Sequence, residues 1–242
     1  PALSIEQSRL VTNSMAERAE GNLLMAVGLR NRWSDKDFRM VGETESVIDR
    51  YEDKLGTYLM KITSKSLSQS QSEEVSKFLH TISDFERISD HSINVVESVQ
   101  QMRKENLTFS RKGEEEMNLY GAAIRDILTR TTDAFVNNDQ ALAHTVEPLE
   151  EVVDDINTVV KANHIKRLQK GKCTIELGIA LENLLNNYER VADHCSNIAV
   201  CLIQTQEDGY EMHEYLDKLK EDEDPFFEQM FEEYRKEYRL PS

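Results

Sequence analysis

The chain has 242 residues, 39% of them apolar, enough for a packed core in one large domain or in two units of about a hundred residues each. Its net charge of −16 argues against nucleic acid, which needs clustered Lys and Arg, and against direct docking on an anionic membrane surface. Four prolines and nine glycines favour long helices, no apolar run reaches the length of a membrane span, and no signal peptide is visible.

The apolar period is helical from end to end. Helix 1 is predicted at about 4–32 and helix 2 at about 35–65, the latter entered through Ser34 with Asp37 three residues on. The Ser-rich stretch from Ser64 to Ser72 reads as a loop before helix 3, at about 73–104. Along helix 3, Val75, Phe78, Ile82, Phe85, Ile88, Ser92, Val95, Val99 and Met102 form a seam of threes and fours, which predicts coiled-coil-like packing. Helix 4 covers about 111–137, and Asn137, Asn138 and Asp139 open helix 5, about 140–170, in which Pro148 should mark an early kink or a late start. Gly171 closes helix 5 and Thr174 caps helix 6, about 175–207, whose seam is Leu181, Leu184, Tyr188, Val191, Cys195, Ile198 and Leu202. After Gly209 an acidic run, Glu221 to Asp224, precedes a short amphipathic helix with Phe226, Phe227, Met230, Phe231 and Tyr234, either a cap on the bundle or a docking surface. The expected architecture is all-α: two tandem antiparallel three-helix bundles, 1–108 and 109–208, and an acidic tail with a short helix, 209–242. The three cysteines, Cys173, Cys195 and Cys201, lack metal-site spacing and read as buried free thiols in a reducing cytoplasm.

One polar phrase occurs twice. Residues 85–94 read FERISDHSIN and residues 188–197 read YERVADHCSN, an offset of 103 that superposes Glu86 on Glu189, Asp90 on Asp193, His91 on His194 and Asn94 on Asn197. A duplicated core would need only its apolar spacing to recur, so a repeated polar pattern points to a shared task. Glu86, Asp90 and Asn94 are four residues apart and form one row on helix 3; Glu189, Asp193 and Asn197 do the same on helix 6. Helix 2 carries a further pair, Glu45 and Asp49, and helix 5 repeats it as Glu150 and Asp154. Like charges at i, i+4 cost roughly 0.2–0.5 kcal/mol per pair. One such pair is ordinary in a chain with 45 Asp and Glu; four in register across a duplication call for compensation. A cation held between helices 2 and 3, and another between helices 5 and 6, would supply it, and oxygen ligands suit hard ions. Without metal, some of these carboxyls should titrate high. His91 and His194 point off the rows and read as supports for the ligands or as core-edge groups; Asn94 and Asn197 read either as carbonyl ligands or as donors to the carboxylates. The Glu-X-X-His spacing of di-iron bundles is met by no His, and there is no Gly-rich phosphate loop, nucleophile elbow or HEXXH, so an enzyme is not expected.

At these residues the sequence resembles the PhoU family, with ERISDH and ERVADH for its ERIGDH-type motif and ESVID (45–49) and EEVVD (150–154) for its EXXXD motif. The resemblance covers about residues 4–207; the family glycine before the Asp is Ser89 and Ala192 here, both small enough for close helix packing. It implies metal clusters of iron, manganese or zinc on the carboxylate rows, with Glu45, Asp49, Glu86, Asp90, Glu150, Asp154, Glu189 and Asp193 as ligands, and a regulatory, non-catalytic role in phosphate uptake at the cytoplasmic face of the membrane. The opening Pro1 to Gln7 is similar to the junction where sodium/phosphate cotransporters pass into a cytoplasmic PhoU-like domain, and that domain is the reading favoured by the sequence. The alternatives are a free-standing PhoU acting on a phosphate ABC transporter and its sensor kinase, or a helical adaptor without metal. The implied partners are a membrane phosphate transporter, in cis or in trans, a sensor kinase and a second copy of the chain.

Overall fold

A computed structural model describes residues 1–204, 217–218 and 224–241. In chain order the helices are α1 (Ala2–Leu29), α2 (Asp35–Thr63), α3 (Gln69–Lys104), α4 (Arg111–Asn137), α5 (Gln140–Ala143), α6 (Val146–Gln169), α7 (Ile175–Gln204) and α8 (Pro225–Glu237). Among the described residues there is no strand. Helices α1, α2 and α3 pack on one another as one bundle and α4, α6 and α7 as a second. The two join mainly through α3 and α7, the helices that carry the repeated phrase, with α1 against α4 in support.

Both seams lie where their period puts them. Every seam residue of α3 and of α7 named above is buried. Phe85 stands edge-on to Phe135 of α4, ring centroids 5.0 Å apart, so it also bridges the two bundles. Tyr188 stacks on Tyr120 at 5.1 Å, and the Tyr120 hydroxyl accepts a hydrogen bond from Asn157 Nδ2 at 2.9 Å. Ser89 and Ala192 are fully buried, and Ser89 Oγ accepts from Asn22 of α1 at 3.1 Å, the close approach that a small residue permits.

The helix ends follow local chemistry. Ser34 Oγ accepts from the Asp37 amide, Asp139 from Leu142 and Thr174 from Leu177, while Gly171 takes the positive φ of +66° that stops α6. One boundary differs from expectation, and one break falls where Pro148 marks an early kink or a late start. The Ser-rich segment is not a loop up to Ser72: α3 starts at Gln69 because Ser68 and Gln71 form a reciprocal capping box, 3.3 Å and 3.1 Å. Ser68→Ala is therefore expected to cost about 1 kcal/mol in a urea melt, and an unchanged midpoint would mean that the box does not hold this end. The expected helix 5 is two helices. Pro148 has no N–H to give the carbonyl four residues back, so the chain breaks after α5 and restarts at Val146, with the proline in the first turn where that loss is harmless.

The tail helix α8 caps the bundle. Tyr234 and Tyr238 are buried against α6, Arg130 lies over the Tyr234 ring, and the Tyr238 hydroxyl donates to Asp126 at 2.6 Å. The acidic run Glu221 to Glu223 and residues 205–207 of the expected helix 6 lie outside the described residues. The cysteines are free, but only Cys195 is buried; Cys173, in the connection between α6 and α7, and Cys201, on α7, are half-buried.

Candidate metal centre

The carboxylate rows of α2 and α3 converge. One oxygen each of Glu45, Glu86 and Asp90 lie within 4.8 Å of one another, all three residues half-buried. Asp49, Glu52 and Glu86 form a second group of the same span, so Glu86 belongs to both. Burial, a hydrogen bond shared with Asp90 and the charges of Asp90 and Asp49 push Glu45 up to about 7. The same causes, with Glu52 added, push Glu86 up to about 8. A carboxyl that keeps its proton near neutral pH stands where another cation would be favoured.

The second wall is built differently. Glu150 is buried and pushed up to about 9, first by burial and then by Glu147, Asp154, Glu151 and Asp193. Asp154 is pushed up to about 6 by burial and by Asp193 and Glu189 across on α7. Here the oxygens within 4.8 Å belong to Glu147, Glu150 and Glu151, all on α6, and Ser196 of α7 donates to Glu147. Glu189 and Asp193 act on this wall by charge, yet among the described residues they join no such group of three. The motif offset of 105 explains the difference: Glu147 occupies the place of Gly42, and Glu52 that of Asn157, which is buried on Tyr120. Glu52, Glu147 and Glu151 are therefore members that motif reading misses. Their signal lies in i, i+3 and i, i+7 spacing from the EXXXD acids.

The histidines and asparagines of the phrase take other places. His91 and His194 face each other across the α3–α7 seam, ring centroids 5.5 Å apart. His91 Nδ1 pairs with Asn187 at 2.8 Å, His194 Nδ1 with Asp84 at 3.0 Å, and Asn197 donates to Asp84 at 3.5 Å. These three fasten one repeat to the other. Asn94 is exposed. Arg87 and Arg190 are exposed too, and among the described residues neither forms an ion pair.

The donor set is carboxylate throughout. That fits hard cations such as iron or manganese; zinc, which favours nitrogen and sulfur in closed sites, fits it least of the three. Glu45, Asp49, Glu52, Glu86 and Asp90 would hold a cation on the first wall and Glu147, Glu150, Glu151 and Asp154 on the second.

Fold and site together define a class: duplicated three-helix bundles, joined through their motif helices, each with an acidic wall. The PhoU domain matches residues 12–99 and 117–202, and the chain belongs to the PhoU family. The phosphate-specific transport system accessory protein PhoU homolog 1 of Thermotoga maritima is 27% identical over 133 residues, 55% of this chain and only 56% of that relative. The crystal structure of PhoU from Pseudomonas aeruginosa superposes with a TM-score of 0.80 at 20% identity, over 86% of this chain and 99% of that one. The phosphate transport system regulatory protein PhoU from Streptococcus pneumoniae gives 0.74 at 16% identity, over 86% and 97%. At these identities the two structures establish the fold. Among the described residues no helix is long and apolar enough to cross a membrane.

Proposed function

We propose that this chain is a metal-binding accessory regulator of a phosphate transport system, acting without catalysis at the cytoplasmic face of the membrane. The observation that carries the metal is the convergence of Glu45, Glu86 and Asp90 from two helices within 4.8 Å. Family membership and the accessory protein of Thermotoga maritima support the phosphate role. The relatives include a phosphate-specific transport system accessory protein and a phosphate transport system regulatory protein, which favours the reading of a PhoU regulator, with a transporter and its sensor kinase as partners, over that of a cotransporter domain.

Elemental analysis after exposure to micromolar iron, manganese and zinc, with paired melts with and without chelator, tests the metal. Uptake of iron or manganese is expected. Binding to the folded state alone adds roughly 2.7 kcal/mol at a hundredfold excess over Kd. The double variant Asp90→Asn with Asp193→Asn is expected to bind more weakly, while its metal-free stability is unchanged or higher. Absence of uptake would favour the metal-free adaptor; a large loss of metal-free stability in the double variant would make these Asp residues structural acceptors instead. For the phosphate role, loss of the chain from its host should alter how phosphate uptake responds to external phosphate.

A further inference from the structure

The chain is strongly acidic, but its cations are not evenly spread. Between Asp155 and Glu176 there is no acidic residue, while Lys161, Lys166, Arg167, Lys170 and Lys172 all fall there. This stretch forms the end of α6 and the connection that follows it, and the fold sets it beside the start of α4, where Arg111 and Lys112 stand. Between the two ends lies a cleft of about 620 Å³, lined by Arg111, Lys112, Lys166, Arg167, Lys170 and Lys172 and rimmed by Leu240 and Pro241 of the tail.

Glu116 is its one acidic lining residue among those described, and its charge is already met. It is buried, accepts two hydrogen bonds from Arg167, at 2.8 Å and 3.1 Å, and a third from Asn163 at 2.9 Å. Arg111 has only an exposed partner, Glu115, at 3.2 Å, a pairing of little strength in water. Lys166, Lys170 and Lys172 are exposed, and among the described residues they form no ion pair. Ser110, which also lines the cleft, caps α4 through the Gly113 amide at 3.2 Å, so the positive end of a 27-residue helix dipole adds to the same potential.

We propose that this cleft binds a small anion bearing more than one phosphate group. Three uncompensated ammonium groups on a floor closed by a neutral Arg–Glu pair call for several negative charges, and the cleft is far larger than one phosphate needs. A long polyanion or an anionic bilayer would also meet the acidic remainder of the surface and be repelled, whereas a compact ligand within the cleft stays inside the roughly 8 Å over which its cations act unscreened. The cleft is independent of the acidic walls: Lys166 lies twelve residues beyond Asp154 on α6, about 18 Å along the axis.

Tripolyphosphate, titrated calorimetrically into the full chain stripped of metal, is the test. Metal removal matters because tripolyphosphate would otherwise be read through cations on the acidic walls. One-to-one binding is expected, tighter than that of orthophosphate and weakened by added salt. The variant K166Q/K170Q/K172Q should bind at least about tenfold more weakly, the sum of three exposed charge contacts, with an unchanged melt. The variant K36Q/K61Q/K65Q, which removes the same charge from exposed positions on and just after α2, should bind as the unmodified chain does. No binding heat, or equal loss in both variants, would overturn the proposal. So would binding to phosphatidylglycerol vesicles without binding of tripolyphosphate, which would make the patch a membrane contact.

Discussion

Raising the pH from about 5 to about 9 is expected to destabilise the metal-free protein by about 3 kcal/mol, a fall in Tm of roughly 6–12 °C for a chain of this length. Glu45, Glu86 and Glu150 titrate near 7, 8 and 9 in the folded chain, far above an unfolded glutamate. Between those limits the folded state binds more protons than the unfolded one, so stability is fully present below the ordinary carboxylate range and is lost as pH rises through the folded values. Solvent screens part of each wall and neighbouring carboxyls share protons, so about one strongly held proton per wall sets the size of the effect. With iron or manganese bound the slope should flatten, because the cation then does what the proton did. Calorimetric melts across this range, with and without metal, provide the measurement. A metal-free protein that gains stability toward pH 9 would mean that the walls are open to solvent and uncrowded.

Phe85→Ala should lower the unfolding free energy by about 3–5 kcal/mol in a denaturant melt. Phe85 is fully buried in the seam of its own bundle and edge-on to Phe135 of the other, so its loss leaves a void at the junction of the two repeats. Neither side can close over that void alone, since α3 is held by α1 and α2 and α4 by α6 and α7. A cost below about 1 kcal/mol would show that this face of α3 does not point into the core.

The parts of the fold that were legible in the sequence are those set by local period and end chemistry. The α3 and α7 seams followed from steps of three and four, and the ends at Ser34, Gly171 and Thr174 from single side chains. The Ser68–Gln71 box was legible in principle but was masked by the serines around it. The candidate site divides in the same way. Rows on one helix can be read from spacing, so Glu45, Asp49, Glu86 and Asp90 could be named. That Glu52 joins them, that Glu189 and Asp193 fall outside the close groups of three, and that His91 and His194 meet each other depend on helix rotation and depth, which spacing alone does not report. The basic cleft was hidden for a related reason: Arg111 and Lys166 are 55 positions apart, and a net charge of −16 averages them away.

The exchanges of Gly42 for Glu147 and of Glu52 for Asn157 leave the two copies unequal. One saturable centre passes from a tenth to nine-tenths occupied over about an eighty-fold change in free ion. Two centres with different dissociation constants stretch that response, the tighter one filling while its neighbour is still empty. Duplication followed by divergence would thus give a single polypeptide a graded scale of ion concentration in place of a single threshold, with half-loaded molecules as a distinct species. That species would appear as a plateau or a second inflection in a metal titration.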